Sequence, residues 1–142
     1  MWLAGAGIGR PWELDSEPMP DAPQGRVLII DDDPGDGELA VRRLRSLPAR
    51  VDFHLGPDGA VEEVARGEYD VVVLDVTMPG IGGLEILRSL QRDRPGVRVM
   101  LYSAMDPTEL AELARSNGVV QLNKSSARTE FVRKVRELLD AR

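Results

Sequence analysis

Val71-Val72-Val73-Leu74 is an unbroken run of four apolar, mostly β-branched residues with an aspartate at each end, Asp70 and Asp75. A run this short and uniform shows neither helical periodicity nor alternation. It reads as a strand covered on both faces, as strands inside a parallel sheet are. The run ends in Asp75 and then a Met78-Pro79-Gly80 turn. A carboxylate at the carboxyl end of a central parallel strand stands where open α/β sheets place their ligands.

The remaining segments supply neighbours for that strand. Arg26–Asp31 is a second apolar run, and it too ends in carboxylates, Asp31, Asp32 and Asp33. Pro34 suits the first turn of a helix with Asp33 as its N-cap. Ala40, Leu44 and Leu47 follow at helical spacing, and the arginines at 42, 43 and 45 read as a solvated face. Arg50–Leu55 has the mixed polarity of an edge strand, with His54 in a structural role. A Gly56-Pro57-Asp58-Gly59 turn leads to a helix over 60–66, with Val61, Val64 and Ala65 on its buried side. Beyond the central strand, Leu84, Leu87 and Leu90 mark a helix stopped by Pro95-Gly96. Val97–Tyr102 is the next strand. Asp106-Pro107-Thr108-Glu109 combines a cap, a first-turn proline and a glutamate, and opens a helix carrying Leu110, Leu113 and Ala114 that closes at Asn117-Gly118. Val119–Asn123 is the last strand. Ser125 or Ser126 is expected to cap the final helix, whose stripe is Phe131, Val135, Leu138 and Leu139. Strand and helix thus alternate five times from Arg26 to Arg142, which implies a parallel sheet with helices on both faces.

Residues 1–25 read as a flexible tail, because glycines and prolines break every period there. Gly5-Ala6-Gly7-Ile8-Gly9 lacks the preceding strand and the full spacing of a phosphate-binding loop. Trp2 and Trp12 are either incidental or part of a partner-docking segment. The chain has 142 residues, a net charge of −6, one histidine and no cysteine. These exclude a disulfide framework, a thiolate nucleophile and zinc sites built on cysteine or several histidines, and they argue against direct nucleic-acid binding. No apolar run reaches the roughly 18 residues of a membrane span. The expected compartment is the cytoplasm.

Asp31, Asp32, Asp75, Ser103 and Lys124 all stand at strand ends, so a parallel sheet brings them to one edge. Taken singly, the Asp31-Asp32 pair reads as a helix cap, Ser103 as a loop hydroxyl and Lys124 as a surface lysine, while Asp75 before Met78-Pro79-Gly80 is less easily dismissed. Taken together they describe a reaction site. Clustered carboxylates repel one another and recruit a cation. A hard divalent ion such as Mg²⁺ accepts a few carboxylates and a backbone carbonyl while keeping positions open for phosphate oxygens. Lys124 supplies a point charge for the same phosphate and Ser103 a hydroxyl. The set suits transient phosphorylation of a carboxylate, with Asp75 on the central strand as nucleophile.

These residues carry a family resemblance. Val27-Leu28-Ile29-Ile30-Asp31-Asp32-Asp33-Pro34, Val73-Leu74-Asp75-Val76-Thr77-Met78-Pro79-Gly80, Gly83-Leu84-Glu85, Met100-Leu101-Tyr102-Ser103-Ala104 and Lys124 together resemble the receiver domain of bacterial two-component response regulators, over residues 26–142. The resemblance implies a doubly wound five-stranded α/β fold, flavodoxin-like, with strand order 2-1-3-4-5, the order the chemotaxis receiver exemplifies. It implies that Asp75 accepts phosphate from a histidine kinase or phosphotransfer protein. It further implies that Asp32, Asp75 and the Thr77 carbonyl bind Mg²⁺ directly and Asp31 largely through water, and that Ser103 and Lys124 engage the phosphoryl group. The chain reads as a stand-alone signalling receiver rather than a turnover enzyme, acting on a downstream protein that the sequence does not name.

Four features depart from the family pattern. Ser125 follows Lys124 where a proline with a cis bond is usual, and without proline a trans bond is expected. Gln121 replaces an aromatic switch residue, the Gly118-to-Lys124 spacing is one residue short, and serine replaces threonine at 103. These motivate a second reading, a phosphate-independent interaction module on the same fold. A haloacid-dehalogenase-like phosphatase is a third; that family has a second aspartate where this chain has Thr77.

Overall fold

The computed structural model describes residues 24–78, 80 and 82–141. Trp2, Trp12, the glycine-rich stretch and all of the expected tail but Gln24 and Gly25 lie outside the described residues. Ten elements alternate: β1 Arg26–Asp31, α1 Pro34–Arg43, β2 Arg50–Leu55, α2 Ala60–Gly67, β3 Val71–Leu74, α3 Gly83–Asp93, β4 Arg98–Ser103, α4 Pro107–Asn117, β5 Val120–Asn123 and α5 Arg128–Asp140. The five strands are parallel in the order β2-β1-β3-β4-β5, which is the expected architecture.

Successive side chains of a strand point to opposite faces, and here that divides the core in two. Leu28, Ile30, Val72, Leu74 and Leu101 pack with Val64, Leu87, Leu90, Leu110 and Ala114 of α2, α3 and α4. Val27, Ile29, Val71, Val73 and Met100 pack on the other face with Ala40, Phe131, Val135 and Leu139 of α1 and α5. All four residues of β3 are at most 1% exposed. Each contributes about 1.5–3 kcal/mol by leaving water, so the strand beneath Asp75 is firmly seated.

Helix starts follow the sequence signals. The Asp33 carboxylate accepts from Gly35 N at 2.8 Å and Asp36 N at 3.1 Å; that of Asp106 accepts from Thr108 N at 3.1 Å and Glu109 N at 3.2 Å. Such caps contribute about 1 kcal/mol each. Gly37, a poor helix residue, is needed because a Cβ there would overlap the Phe53 ring of β2.

Three expectations are corrected. The N-cap of α5 is Ala127, with no side-chain cap; Asn123 draws Ser125 back toward β5 instead. Ala65 is exposed, and Gly67 completes the buried side of α2. Arg43 is not part of a purely solvated face, since its Nη1 donates to the Tyr102 hydroxyl at 3.3 Å. His54 Nε2 lies 2.7 Å from the Asp58 carbonyl, across the turn between β2 and α2.

Both tyrosines of the sequence are buried. Burial raises the Tyr69 pKa well above its ordinary 10.0, and donation of its hydroxyl to Asp52 Oδ2 at 2.7 Å raises it further. Burial also raises Tyr102, against the opposing pull of Arg43. A raised folded-state pKa means that the unfolded chain ionises first. The stabilisation is complete below pH ~10 and is lost as pH rises through the folded values. Tyrosinate absorbance of the native protein should therefore stay flat through pH ~10, where a urea-unfolded sample titrates, and the urea midpoint should fall above that pH. A native titration at the ordinary value would contradict the buried geometry.

Candidate functional site

Strand register assembles the site. The Asp75 amide donates to Ile30 O at 3.0 Å and the Lys124 amide to Ser103 O at 2.9 Å, extending the β1–β3 and β4–β5 ladders by one residue past the strands. Strand alternation then assigns faces. Asp31 continues the parity of Val27 and Ile29, Asp75 that of Val71 and Val73, and Lys124 that of Leu122, all facing α1 and α5. Asp31 would face away from Asp32 if the strand ran on. It does not: Asp31 Oδ1 accepts from the Asp33 amide at 2.9 Å, and the chain turns into α1. One carboxylate oxygen from each of Asp31, Asp32 and Asp75 consequently lies within 4.8 Å of the others. Asp31 and Asp75 are buried and Asp32 is exposed.

The Lys124 ammonium reaches into this cluster. It donates to Asp31 Oδ2 at 2.7 Å, Asp36 Oδ2 at 2.9 Å and Asp75 Oδ2 at 3.2 Å. Desolvation alone would lower its pKa, but the bonds to Asp31 and Asp36 and the charges of Asp75 and Asp31 override this and hold it well above the ordinary lysine value. For Asp31 desolvation dominates and raises the pKa, against the bonds from Lys124 and Asp33 N. The other oxygen of Asp75, Oδ1, accepts from Thr77 N and Thr77 Oγ1, both at 3.0 Å. Thr77 thus fixes the carboxylate plane and leaves Oδ2 the less engaged oxygen.

Ser103 is fully buried but follows the parity of Val99 and Leu101, facing away from α1 and α5. Its Oγ accepts from the Met105 amide at 3.1 Å and has no hydrogen bond to the carboxylates or Lys124. Asp31, Asp32, Asp75, Thr77 and Lys124 are therefore brought together, while Ser103 stands at the adjacent strand end with its hydroxyl turned into the β4–α4 loop. Next to it, Asn123 Nδ2 donates to Met105 O at 2.8 Å, and Asn123 Oδ1 accepts from Ser125 N at 2.9 Å and Ser125 Oγ at 2.7 Å. The Lys124–Ser125 peptide is trans, as expected without proline, and no cis bond occurs among the described residues.

Sequence reasoning missed Asp36. Its signal was its place in the first turn of a helix that starts at the same sheet edge.

A family profile described as the response regulator receiver domain matches residues 27–136. This chain belongs to the response regulator receiver family. The receiver is 33% identical over 115 residues to the probable transcriptional regulatory protein TcrX of Mycobacterium tuberculosis, covering 80% of this chain and 49% of that protein. It is 37% identical over 106 residues to protein-glutamate methylesterase/protein-glutamine glutaminase 5 of Myxococcus xanthus, covering 72% of this chain and 30% of that protein. The receiver thus spans half or less of these curated relatives. Among solved structures, the signal receiver domain of the response regulator NarL from Mycobacterium tuberculosis superposes with a TM-score of 0.73 at 30% identity, over 84% of this chain and 99% of that one. The receiver domain of a LuxO repressor from Vibrio parahaemolyticus shares the fold, with a TM-score of 0.76 at 19% identity over 82% of this chain and 91% of its own.

Gly83 determines how closely α3 approaches the site. A Cβ there would overlap the Asp75 carbonyl oxygen and the Val76 Cα, which are backbone atoms with no freedom to yield. Gly83→Ala should cost about 1–3 kcal/mol, read as a lower urea midpoint with an unchanged m-value. Wild-type stability in that variant would show that the Asp75 loop is less constrained than this packing implies.

Proposed function

We propose that this receiver is a two-component signalling protein whose Asp75 accepts a phosphoryl group from the phosphohistidine of a histidine kinase or phosphotransfer protein. The observation that carries the reading is the convergence of Asp31, Asp32 and Asp75 within 4.8 Å beside the Lys124 ammonium. An Asp75 oxygen forms the new P–O bond as the P–N bond of the donor breaks. The imidazole leaves with the electron pair and takes up a proton. Thr77 holds the attacking carboxylate in place, which supplies orientation, and Lys124 pairs with the anionic oxygens of the incoming group.

The donor set fits Mg²⁺. It offers hard oxygen ligands, with exposed Asp32 on the solvent side, as suits an ion that keeps several waters. Asp32 and Asp75 would hold the ion, with Asp31 behind them and the Thr77 carbonyl alongside. Bound there, Mg²⁺ would supply charge neutralisation to the phosphoryl oxygens. Ser103 would take its part after transfer, its hydroxyl leaving Met105 N for a phosphoryl oxygen. The output is a changed protein-binding surface or onward transfer, not turnover of a substrate. A cytoplasmic setting suits a donor kinase; no helix among the described residues is long and apolar enough to cross a membrane.

Two outcomes are expected. With phosphoramidate and Mg²⁺, intact-mass measurement should show one added phosphoryl group on the wild type and none on Asp75→Asn; equal labelling of the two would refute the assignment. Mg²⁺ alone should raise thermal stability by about 1.4 kcal/mol at ten times its Kd, roughly 5 °C for a domain of this size. Asp32→Asn should lose most of that shift, and a full shift in the variant would remove Asp32 from the ion's ligands.

The bonds of Lys124 to both buried carboxylates, Asp31 and Asp75, favour one second reading, a phosphate-independent interaction module on the same fold. A partner captured equally by wild type and Asp75→Asn would select it.

A further inference from the structure

An ammonium group has three protons to donate, and Lys124 has committed all of them, to Asp31, Asp36 and Asp75. A phosphoryl group on Asp75 presents anionic oxygens to the same ammonium. The bond to Asp75 passes to the phosphoryl group when that carboxylate is esterified, and a second phosphoryl oxygen is served only if Asp31 or Asp36 gives up its bond. These two carboxylates are unequal in this respect. The side chain of Asp31 is 4% exposed and that of Asp36 is 47% exposed. Taking the ammonium from a buried carboxylate leaves a charge stranded away from water. Taking it from Asp36 hands that carboxylate to solvent at little cost. Asp36 is the partner that yields.

We propose that Asp36 is a positioning residue, a releasable counter-ion that holds Lys124 in the unphosphorylated state and competes with the phosphoryl group for it. This rests on the reading of Asp75 as phosphoacceptor. The geometry is built for it: the Asp33 cap fixes the Asp36 amide, and the first turn of α1 covers the face from which Lys124 emerges. Asp36 stabilises only the unphosphorylated arrangement. Removing it therefore shifts the balance the other way, so that loading speeds up and the phosphoryl group is retained longer. Any nearby negative charge also repels an anionic donor. Glu38, exposed on the same helix and outside the set of Lys124 partners, separates that general field from the contact.

The test uses the full chain with phosphoramidate and Mg²⁺, following loading rate and, after donor removal, phosphoryl lifetime by intact mass. Asp36→Asn should load about two- to fivefold faster, with a matching gain in lifetime, the range of an exposed charge-assisted contact. Asp36→Glu should return toward wild type, and Glu38→Gln should stay near it. The Asp36→Asn gain should vanish in a Lys124→Gln background, since coupled residues are not additive. Wild-type rates in Asp36→Asn, an equal gain in Glu38→Gln, or a gain that survives without Lys124 would each overturn the proposal while leaving Asp75 as acceptor. No added mass on the wild type would overturn both readings.

Discussion

Mutual repulsion among Asp31, Asp32 and Asp75 governs the rest of the site. Three carboxylates this close need a cation, and in this structure the Lys124 ammonium serves the buried two, Asp31 and Asp75. It comes from the last strand, 93 residues away from Asp31 in sequence, and only a parallel sheet with β1, β3, β4 and β5 side by side can deliver it. Fold and charge balance are therefore one constraint. The ladders that set strand register also decide which carboxylates meet the lysine, and a slip of one residue in any of them would turn the group to the opposite face.

Much of this was legible in the sequence. The Val71–Leu74 run, the Asp33-Pro34 and Asp106-Pro107 starts and the apolar stripe of α5 each state their local structure through periodicity and capping chemistry. The strand-end placement of Asp31, Asp32, Asp75, Ser103 and Lys124 follows once the sheet is parallel. What the sequence did not show is tertiary. Asp36 gains its contact because α1 crosses the sheet at a particular angle, which no local pattern encodes. Ala65 and Gly67 exchange places on α2 because the buried side lies where Tyr69 packs over Gly67. Ser125 and Ser126 have the right chemistry for an N-cap, but Asn123 claims Ser125 for the turn after β5.

The face alternation bears on the departures from the family pattern. Tyr102 stacks on Phe131 with ring centroids 4.3 Å apart and accepts from Arg43, so an aromatic residue ties β4 to α1 and α5 on the same side as the acidic cluster. Gln121, in the position where an aromatic is usual, is half-buried and offers no ring.

Asn123 carries a mechanical consequence. Its amide clamps the Met105 carbonyl on one side and the Ser125 amide and hydroxyl on the other, with Lys124 between. Two loops that belong to different strands are thereby yoked into one rigid strut. A tug on the first, at the serine hydroxyl's own amide donor, reaches the backbone flanking the lysine through a single side chain, and the pair must travel together or break that yoke.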